Sequence, residues 1–272
     1  MHSNKHLFIL CMNNSGSTTL HSYLKKCENA ISLPKKSGLE HISTSFEGHL
    51  LAKEHMPTPN DLDIIAIFSE KQDIFEDSKN YNWSAIRKTW NSLWKESCEW
   101  DDSGMVLLEK SPPDLLRARL LEKNFSNSYF LVMVRNPYAV IEGMNRRYGH
   151  SLESGAKHWC RTASKNIYNI NNLDNVVYFT YEQMCDNHSV VSKKISNILP
   201  ELYDLDFGEE TDGVHSIDGY GKRGLINFNK KQISRFDTRH FNIINSVLKK
   251  NKNILHFFGY NIINNAEEYR EL

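Results

Sequence analysis

HLFILCMNNSGSTTLHSYL, residues 6–24, is the stretch on which the fold turns. HLFILCM is a continuous apolar run and reads as a buried strand. STTLHSYLKKC reads as a helix with Leu20 and Leu24 on one face. Between them lies a small, hydroxyl-rich turn built from Asn14, Ser15, Gly16, Ser17, Thr18 and Thr19. Glycine lets the main chain approach an oxyanion closely. The N–H groups and the helix N-terminus favour negative charge, and the hydroxyls add donors. The plainer alternative is a serine-rich turn that only caps its helix. A Walker A loop needs G-x-x-x-x-G-K-[ST]; the lysine is missing, which disfavours ATP and GTP. Two asparagines, Asn13 and Asn14, stand where a cation is expected.

The alternation continues outward. MVLLE, SYFLVMV and NVVYFTY read as strands. WSAIRKTWNSLWKESCEW reads as an amphipathic helix whose stripe of Ile86, Trp90, Leu93 and Trp94 faces a core. PDLLRARLLEK and PYAVIEGMNRRY read as proline-started helices, and AKHWCRTASKNIYNI and EQMCDNHSVVSKKISNIL as two more. Strands alternating with helices predict an α/β fold. The expected form is one domain over residues 1–272, with a mostly parallel central sheet, helices on both faces and a P-loop-like phosphate-binding loop after the first strand. Residues 32–80 and 204–232 fit neither pattern and read as long loops or lids, where function often sits.

The 272 residues are 40% hydrophobic and 24% charged, ordinary for one globular domain. Lys+Arg and Asp+Glu are 33 each, so bulk charge gives no reason to expect nucleic acid or a membrane surface as partner. The five cysteines, Cys11, Cys27, Cys98, Cys160 and Cys185, are odd in number and contain no C-x-x-C pair. They read as reduced thiols of a cytoplasmic protein. No signal peptide is recognisable, and no apolar stretch approaches the roughly 20 residues of a membrane span. The 12 histidines are scattered, so no metal is expected.

In open α/β sheets ligands bind beyond the carboxyl ends of the strands. Besides the first loop, two strand ends carry chemistry. In VMVRNPYAVIEG, Arg135 follows an apolar strand, where it can fork onto a phosphate or serve as an ion-paired surface residue. In VLLEKSPPDLL, Glu109 and Lys110 precede a proline-started helix, as reactive groups or as an exposed ion pair.

Taken together these stretches resemble the sulfotransferases that use 3′-phosphoadenosine 5′-phosphosulfate (PAPS). NNSGSTTL is similar to that family's 5′-phosphosulfate loop, and VRNPYAVIEG to its 3′-phosphate motif. LEKSPPDLL resembles the Glu-Lys-Ser/Thr-Pro segment of many carbohydrate-type members. YFTYEQM, with Tyr181, resembles a strand ending in Tyr-Glu. GYGKRGLINF, with Lys222, Arg223 and Gly224, resembles the late basic loop over the 3′-phosphate and adenine. The resemblance implies transfer of a sulfuryl group from PAPS to a hydroxyl or amine of a small-molecule acceptor, leaving 3′-phosphoadenosine 5′-phosphate (PAP), without a metal. Positioning and electrostatics would dominate such a transfer, as they do for phosphoryl groups.

The chain departs from the family pattern twice. Asn14 stands where many members have Lys or Arg, and Gly143 where the helix after the 3′-phosphate arginine commonly has serine. Lys110, Arg146, Arg147 and Lys222 are the cations available to compensate, and Lys110 is the first choice. By position the resemblance makes Glu109 the general base, with His41 in the first long loop as the alternative. Other readings are a P-loop-type small-molecule kinase and an inactive PAP-binding module. The long loops hold aromatic residues (Phe46, Phe68, Phe75, Tyr203, Tyr220) and acids (Glu40, Glu47, Asp61, Asp63, Asp218). Gathered in a pocket, these would suit a cationic acceptor; dispersed, the acids only solvate the loops.

Overall fold

The apolar run at the start of the chain is the middle strand of a five-stranded sheet in the computed structural model, which describes residues 4–38, 46–57, 72–97, 104–216 and 219–269. The strands are β1 (Lys5–Cys11), β2 (Ala30–Ser32), β3 (Val106–Glu109), β4 (Ser128–Val134) and β5 (Val176–Thr180), ordered β2-β3-β1-β4-β5. Every neighbouring pair is parallel. The single α/β fold with a parallel sheet between helices is therefore as the alternation predicts, and the sheet is wholly parallel. Side chains alternate across β1. Phe8 and Leu10 enter one core with Trp90, Trp94 and Trp159, while Leu7, Ile9 and Cys11 enter the other with Leu20, Phe179 and Met184. A strand covered on both faces must be apolar throughout, which is why the run lacks a polar alternation.

Helices connect the strands. α1 (Ser17–Leu24) follows β1; α2 (Gly48–Leu51), α3 (Gln72–Glu76) and α4 (Trp83–Glu96) lie between β2 and β3. α5 (Asp114–Asn124) joins β3 to β4, and α6 (Pro137–Tyr148) with α7 (Leu152–Asn172) joins β4 to β5. Ile86, Trp90 and Trp94 of α4 are buried, with Trp94 Nε1 donating to Leu108 O at 3.1 Å, so that the stripe is core.

Three stretches differ from the sequence reading. The expected single helix after β5 is broken into α8 (Tyr181–Asp186) and α9 (His188–Ile198). Asn187 leaves the helical region there, at φ −134°, ψ 46°. Residues 32–80 contain α2 and α3 as well as loop. Residues 204–232 contain an antiparallel hairpin, β6 (Thr211–Ser216) with β7 (Gly219–Arg223), and then α10 (Asn229–Ile233). TDGVHS and GYGKR are too glycine-rich and polar to announce strands. What anchors the hairpin is α1: Thr211 Oγ1 donates to Ser22 O at 3.3 Å, and Tyr23 Oη to Glu209 O at 2.7 Å. α11 (Thr238–Leu248) and α12 (Lys252–Phe257) complete the fold.

Register decides where the chemistry collects. Cys11 pairs with Met133, and Val134 with Thr180, so the loop after β1, Arg135 after β4 and Tyr181 after β5 leave the sheet at one edge. β3 stops lower, with Glu109 opposite Phe8, which sets Glu109 and Lys110 beneath that rim.

Candidate active site

The loop between β1 and α1 turns through two left-handed residues, Asn14 at φ 61° and Gly16 at φ 93°. A Cβ on Gly16 would come within 2.6 Å of the Tyr181 ring, so only glycine fits. Ser15 Oγ is spent within the loop, donating to Met12 O at 2.7 Å. Gly16 is the N-cap residue of α1, and no side chain accepts from the first turn. A helix start without a side-chain cap, behind a glycine that brings the backbone close, leaves N–H donors for an anion. With glycine at the N-cap, no capping side chain competes for these N–H groups.

Arg135 stands beside this loop and is only 7% exposed. Its Nε donates to Asn229 Oδ1 at 2.8 Å, Nη1 to Asn14 O at 3.1 Å and Nη2 to Gln232 Oε1 at 2.5 Å. The Tyr181 ring lies under the guanidinium, 4.1 Å from Cζ to centroid. Each amide is itself oriented by a carboxylate. Asn229 Nδ2 donates to Glu182 Oε1 at 2.5 Å, and Gln232 Nε2 to Glu142 Oε2 at 2.8 Å. An amide whose NH₂ end is taken by a carboxylate must present its oxygen the other way, here to Arg135. Glu182 also accepts from Asn136 N at 2.9 Å and Tyr260 Oη at 2.8 Å, fixing the start of α6. Three of the five guanidinium N–H groups are engaged, which leaves one on each terminal nitrogen.

Below the rim, Lys110 is buried with its ammonium 2.5 Å from Glu47 Oε1 and 5.9 Å from the Phe46 ring centroid. His49 Nδ1 lies 3.5 Å from the other oxygen of Glu47. His21 stacks on Phe46 at 4.0 Å and contacts Ser32 Oγ at 2.8 Å. Burial pushes the Glu47 carboxyl up and Lys110 pulls it back only in part. For Lys110, burial is the largest effect and works against the charge, but Glu47, Cys11 and Glu109 together outweigh it and raise the ammonium's hold on its proton. Burial, helped by Lys110, lowers His21 to about 3. Burial, then Arg117 and Lys110, lowers His49 to about 3, so both rings are neutral.

Glu109 is 1% exposed. Its Oε1 accepts from Gly48 N at 2.8 Å and Ser111 Oγ at 2.5 Å. Its Oε2 and Asp114 Oδ2 are buried with no donor, while Asp114 Oδ1 receives Arg117 at 2.5 Å. One proton between the two orphan oxygens satisfies both, and burial, with Asp114 next to it, raises Glu109 well above the carboxylate range. Glu109 is thus enclosed, with its affinity for a proton raised.

Of the residues singled out in the sequence, Asn14, Ser15, Gly16, Ser17, Thr18, Thr19, Arg135, Gly143 and Tyr181 come together at the rim, with Glu109 and Lys110 beneath it. Gly224 follows β7, and the next turn is tied to the rim by Tyr181 Oη donating to Ile226 O at 2.7 Å. Lys222 and Arg223 belong to β7, but their side chains, like His41, Phe68, Glu40, Asp61, Asp63 and Asp218, lie outside the described residues. The side chain of Tyr220 also lies outside the described residues; of the others, Phe46 lies by Lys110, Phe75 is core, and Tyr203 is 67% exposed and donates to Glu28. Glu142, Asn229 and Gln232 escape a sequence reading, and Glu182 enters it only as the end of the Tyr-Glu motif, because ordinary polar residues on helices carry no signal of what they face. Among the described residues no group of three or more His, Cys, Asp or Glu gathers as metal ligands, and no helix is long and apolar enough to cross a membrane.

The sulfotransferase family model matches residues 6–199, which contain the loop, Glu109, Lys110, Arg135 and Tyr181. The chain belongs to the sulfotransferase family. No curated protein matches it. Among solved structures, the sulfotransferase domain from the curacin biosynthetic pathway superposes with a TM-score of 0.53 at 18% identity, over 97% of this chain and 100% of that one. The sulfotransferase domain of the Synechococcus PCC 7002 olefin synthase gives 0.49 at 19% identity over 74% of each chain. A sulfotransferase from Alicyclobacillus acidocaldarius gives 0.45 at 14%, over 90% of this chain and 96% of that one. At such identity the likeness to the curacin domain is one of fold. In this sulfotransferase the motif residues named above are the candidates for donor and acceptor chemistry.

Proposed function

We propose that this sulfotransferase takes PAPS as donor and passes its sulfuryl group to a hydroxyl or nitrogen of a small, soluble acceptor. The observation that carries the reading is the meeting, at one sheet edge, of a helix start without a side-chain cap and a buried arginine held in a fixed orientation over a tyrosine. PAPS, when bound, supplies a sulfuryl group with a phosphate as its leaving group. The N–H groups of residues 14–18 hold the phosphosulfate, and Arg135, with Lys222, Arg223 and Gly224 from the late loop, holds the 3′-phosphate. Lys110, kept protonated by Glu47, meets negative charge growing on the leaving oxygen. The acceptor's proton goes to Glu47 rather than to Glu109. Glu47 is the carboxylate on Lys110, and burial raises its affinity for a proton, which suits a general base. Domain extent over residues 1–272 and a cytoplasmic setting belong to the same proposal.

The test is incubation with PAPS or with ATP, together with a panel of hydroxylated and amino metabolites, followed by mass measurement. PAP and a sulfated acceptor are expected. ADP and a phosphorylated acceptor would replace this reading with a kinase, and tight PAP binding without turnover on any acceptor would replace it with a nucleotide-binding module.

A further inference from the structure

Asn14 and Gly143 are in contact. A Cβ on Gly143 would lie 3.2 Å from Asn14 Cγ and 3.3 Å from its Cβ and Oδ1, so the Asn14 side chain rests on the bare backbone of α6. One turn further along α6, Arg147 Nη1 donates to Asn14 Oδ1 at 3.2 Å. Arg135 Nη1 donates to the main-chain oxygen of the same residue at 3.1 Å. Asn14 is therefore approached by two guanidinium groups, and it answers both with neutral oxygens. Its Nδ2 is buried and has no partner. The adjacent carboxylate, Glu142, is turned to Arg146 at 2.8 Å, Arg235 at 3.2 Å and Gln232 at 2.8 Å. Arg147 is left with neutral partners, the Asn14 amide and the Tyr148 side chain. What gathers around Asn14 is a set of donors, two guanidiniums and an amide N–H without a partner, and among the described residues no carboxylate ion-pairs with either guanidinium. Such a set takes an anion with several acceptor oxygens.

We infer that Arg147, Asn14 and Arg135 form the seat of a phosphate monoester, built by the Asn14–Gly143 contact and separate from the N–H groups of α1. Resting on the proposed donor, this monoester is the 3′-phosphate of PAPS or PAP, and Arg147 is a further nucleotide ligand. The neutral Asn14 and the missing side chain at Gly143 then act as one device. The glycine gives the asparagine room, and the asparagine brings Arg147 to the rim. A lysine at position 14 would face two arginines instead of accepting from them. On this account α6 adds a cation at the 3′-phosphate, while Lys110, held by Glu47, keeps the leaving oxygen.

The experiment is calorimetric titration of PAP and of AMP, which lacks the 3′-phosphate, into the wild type, Arg135→Ala, Arg147→Ala, Arg147→Lys, Gly143→Ala, Asn14→Ala and the Asn14→Ala/Gly143→Ala pair. Arg147→Ala is expected to weaken PAP about tenfold or more, the scale of a charge-assisted contact, and AMP less than about twofold. Arg147→Lys should fall between wild type and Arg147→Ala, because it keeps the charge and loses the fork. Gly143→Ala should weaken PAP alone and add nothing once Asn14 is alanine. Arg147 is exposed, so its variants should unfold at the wild-type temperature, a control run alongside. A wild type that binds PAP no better than AMP overturns the donor reading and this seat with it. A preference for PAP that is lost in Arg135→Ala but intact in Arg147→Ala, or equal losses for both nucleotides in Arg147→Ala, overturns the seat alone.

Discussion

Replacing Glu109 by glutamine separates a base from a structural acid. Protonated glutamate and glutamine have nearly the same shape. In Glu109→Gln the side-chain oxygen can still accept from Gly48 N and Ser111 Oγ, and the new NH₂ can donate toward Asp114, the two wild-type bonds being 2.8 and 2.5 Å. Burial, and Asp114 after it, hold the folded-state value of Glu109 well above the ordinary 4.5. The unfolded chain releases that proton near 4.5, whereas the folded chain keeps it. The contribution of Glu109 to stability is thus complete below 4.5 and shrinks as pH rises toward the folded value, by about 1.4 kcal/mol per pH unit. Glutamine has no proton to release. The variant's advantage over wild type should be smallest at pH 4.5 and grow with pH at about that slope, flattening once the folded carboxyl also ionises. Urea unfolding at half-unit intervals from pH 4.5 to 8 reads the difference. Turnover with PAPS should stay within about threefold of wild type, whereas Glu47→Gln should lose about 10²–10⁴-fold. The reasoning fails if Glu109→Gln is less stable than wild type by a pH-independent amount. It also fails if Glu109→Gln loses turnover while Glu47→Gln keeps it.

Other outcomes follow from the rim and the buried rings. Arg135→Ala should cost about 1.5–3 kcal/mol of PAP binding and much less of AMP binding; equal losses would remove its assigned partner. Gly16→Ala places a Cβ 2.6 Å from Tyr181 at φ 93°, so it should lower the thermal midpoint and weaken PAP together, which differential scanning fluorimetry with and without PAP would record. His21, His49 and His158 are each lowered by burial to about 3, so between 6.5 and 3 the unfolded chain binds protons that the folded chain refuses. Stability is complete above 6.5 and falls as the medium is acidified, by at most about 1.4 kcal/mol per unit for each ring. Glu47 and Glu109 oppose this above 4.5 and no longer below it, so urea midpoints should drop most steeply under pH 4.5; a flat profile there would contradict the buried neutral rings.

The sheet is legible because a buried parallel strand must be apolar along its length, and SYFLVMV and HLFILC have no other use. The loop is legible because a left-handed turn into a helix calls for glycine, which Gly16 supplies. Arg135 can be read from its place at a strand end, but its two amide partners cannot, because Asn229 and Gln232 lie 94 and 97 residues away on a short helix without chemical character. The enclosure of Glu109 is hidden for the same reason. Sequence puts it at the end of a strand, and only the register, which stops β3 opposite Phe8, sinks it under Gly48. The hairpin is invisible because its stability comes from docking on α1 and not from its own side chains.

The double amide clamp divides the chain into a part that makes the scaffold and a part that tunes it. All five parallel strands are complete by Thr180, and the stretch matched by the family model ends at residue 199. The amides that aim Arg135 come 30 and 33 residues after that. During synthesis the rim therefore exists before its arginine has a direction, which comes only with the segment that follows the hairpin. Relatives that share the sheet but differ after their late basic loop would hold the same arginine at another angle. The direction of Arg135 can therefore change through substitutions in α10, far along the chain from the strand that carries it.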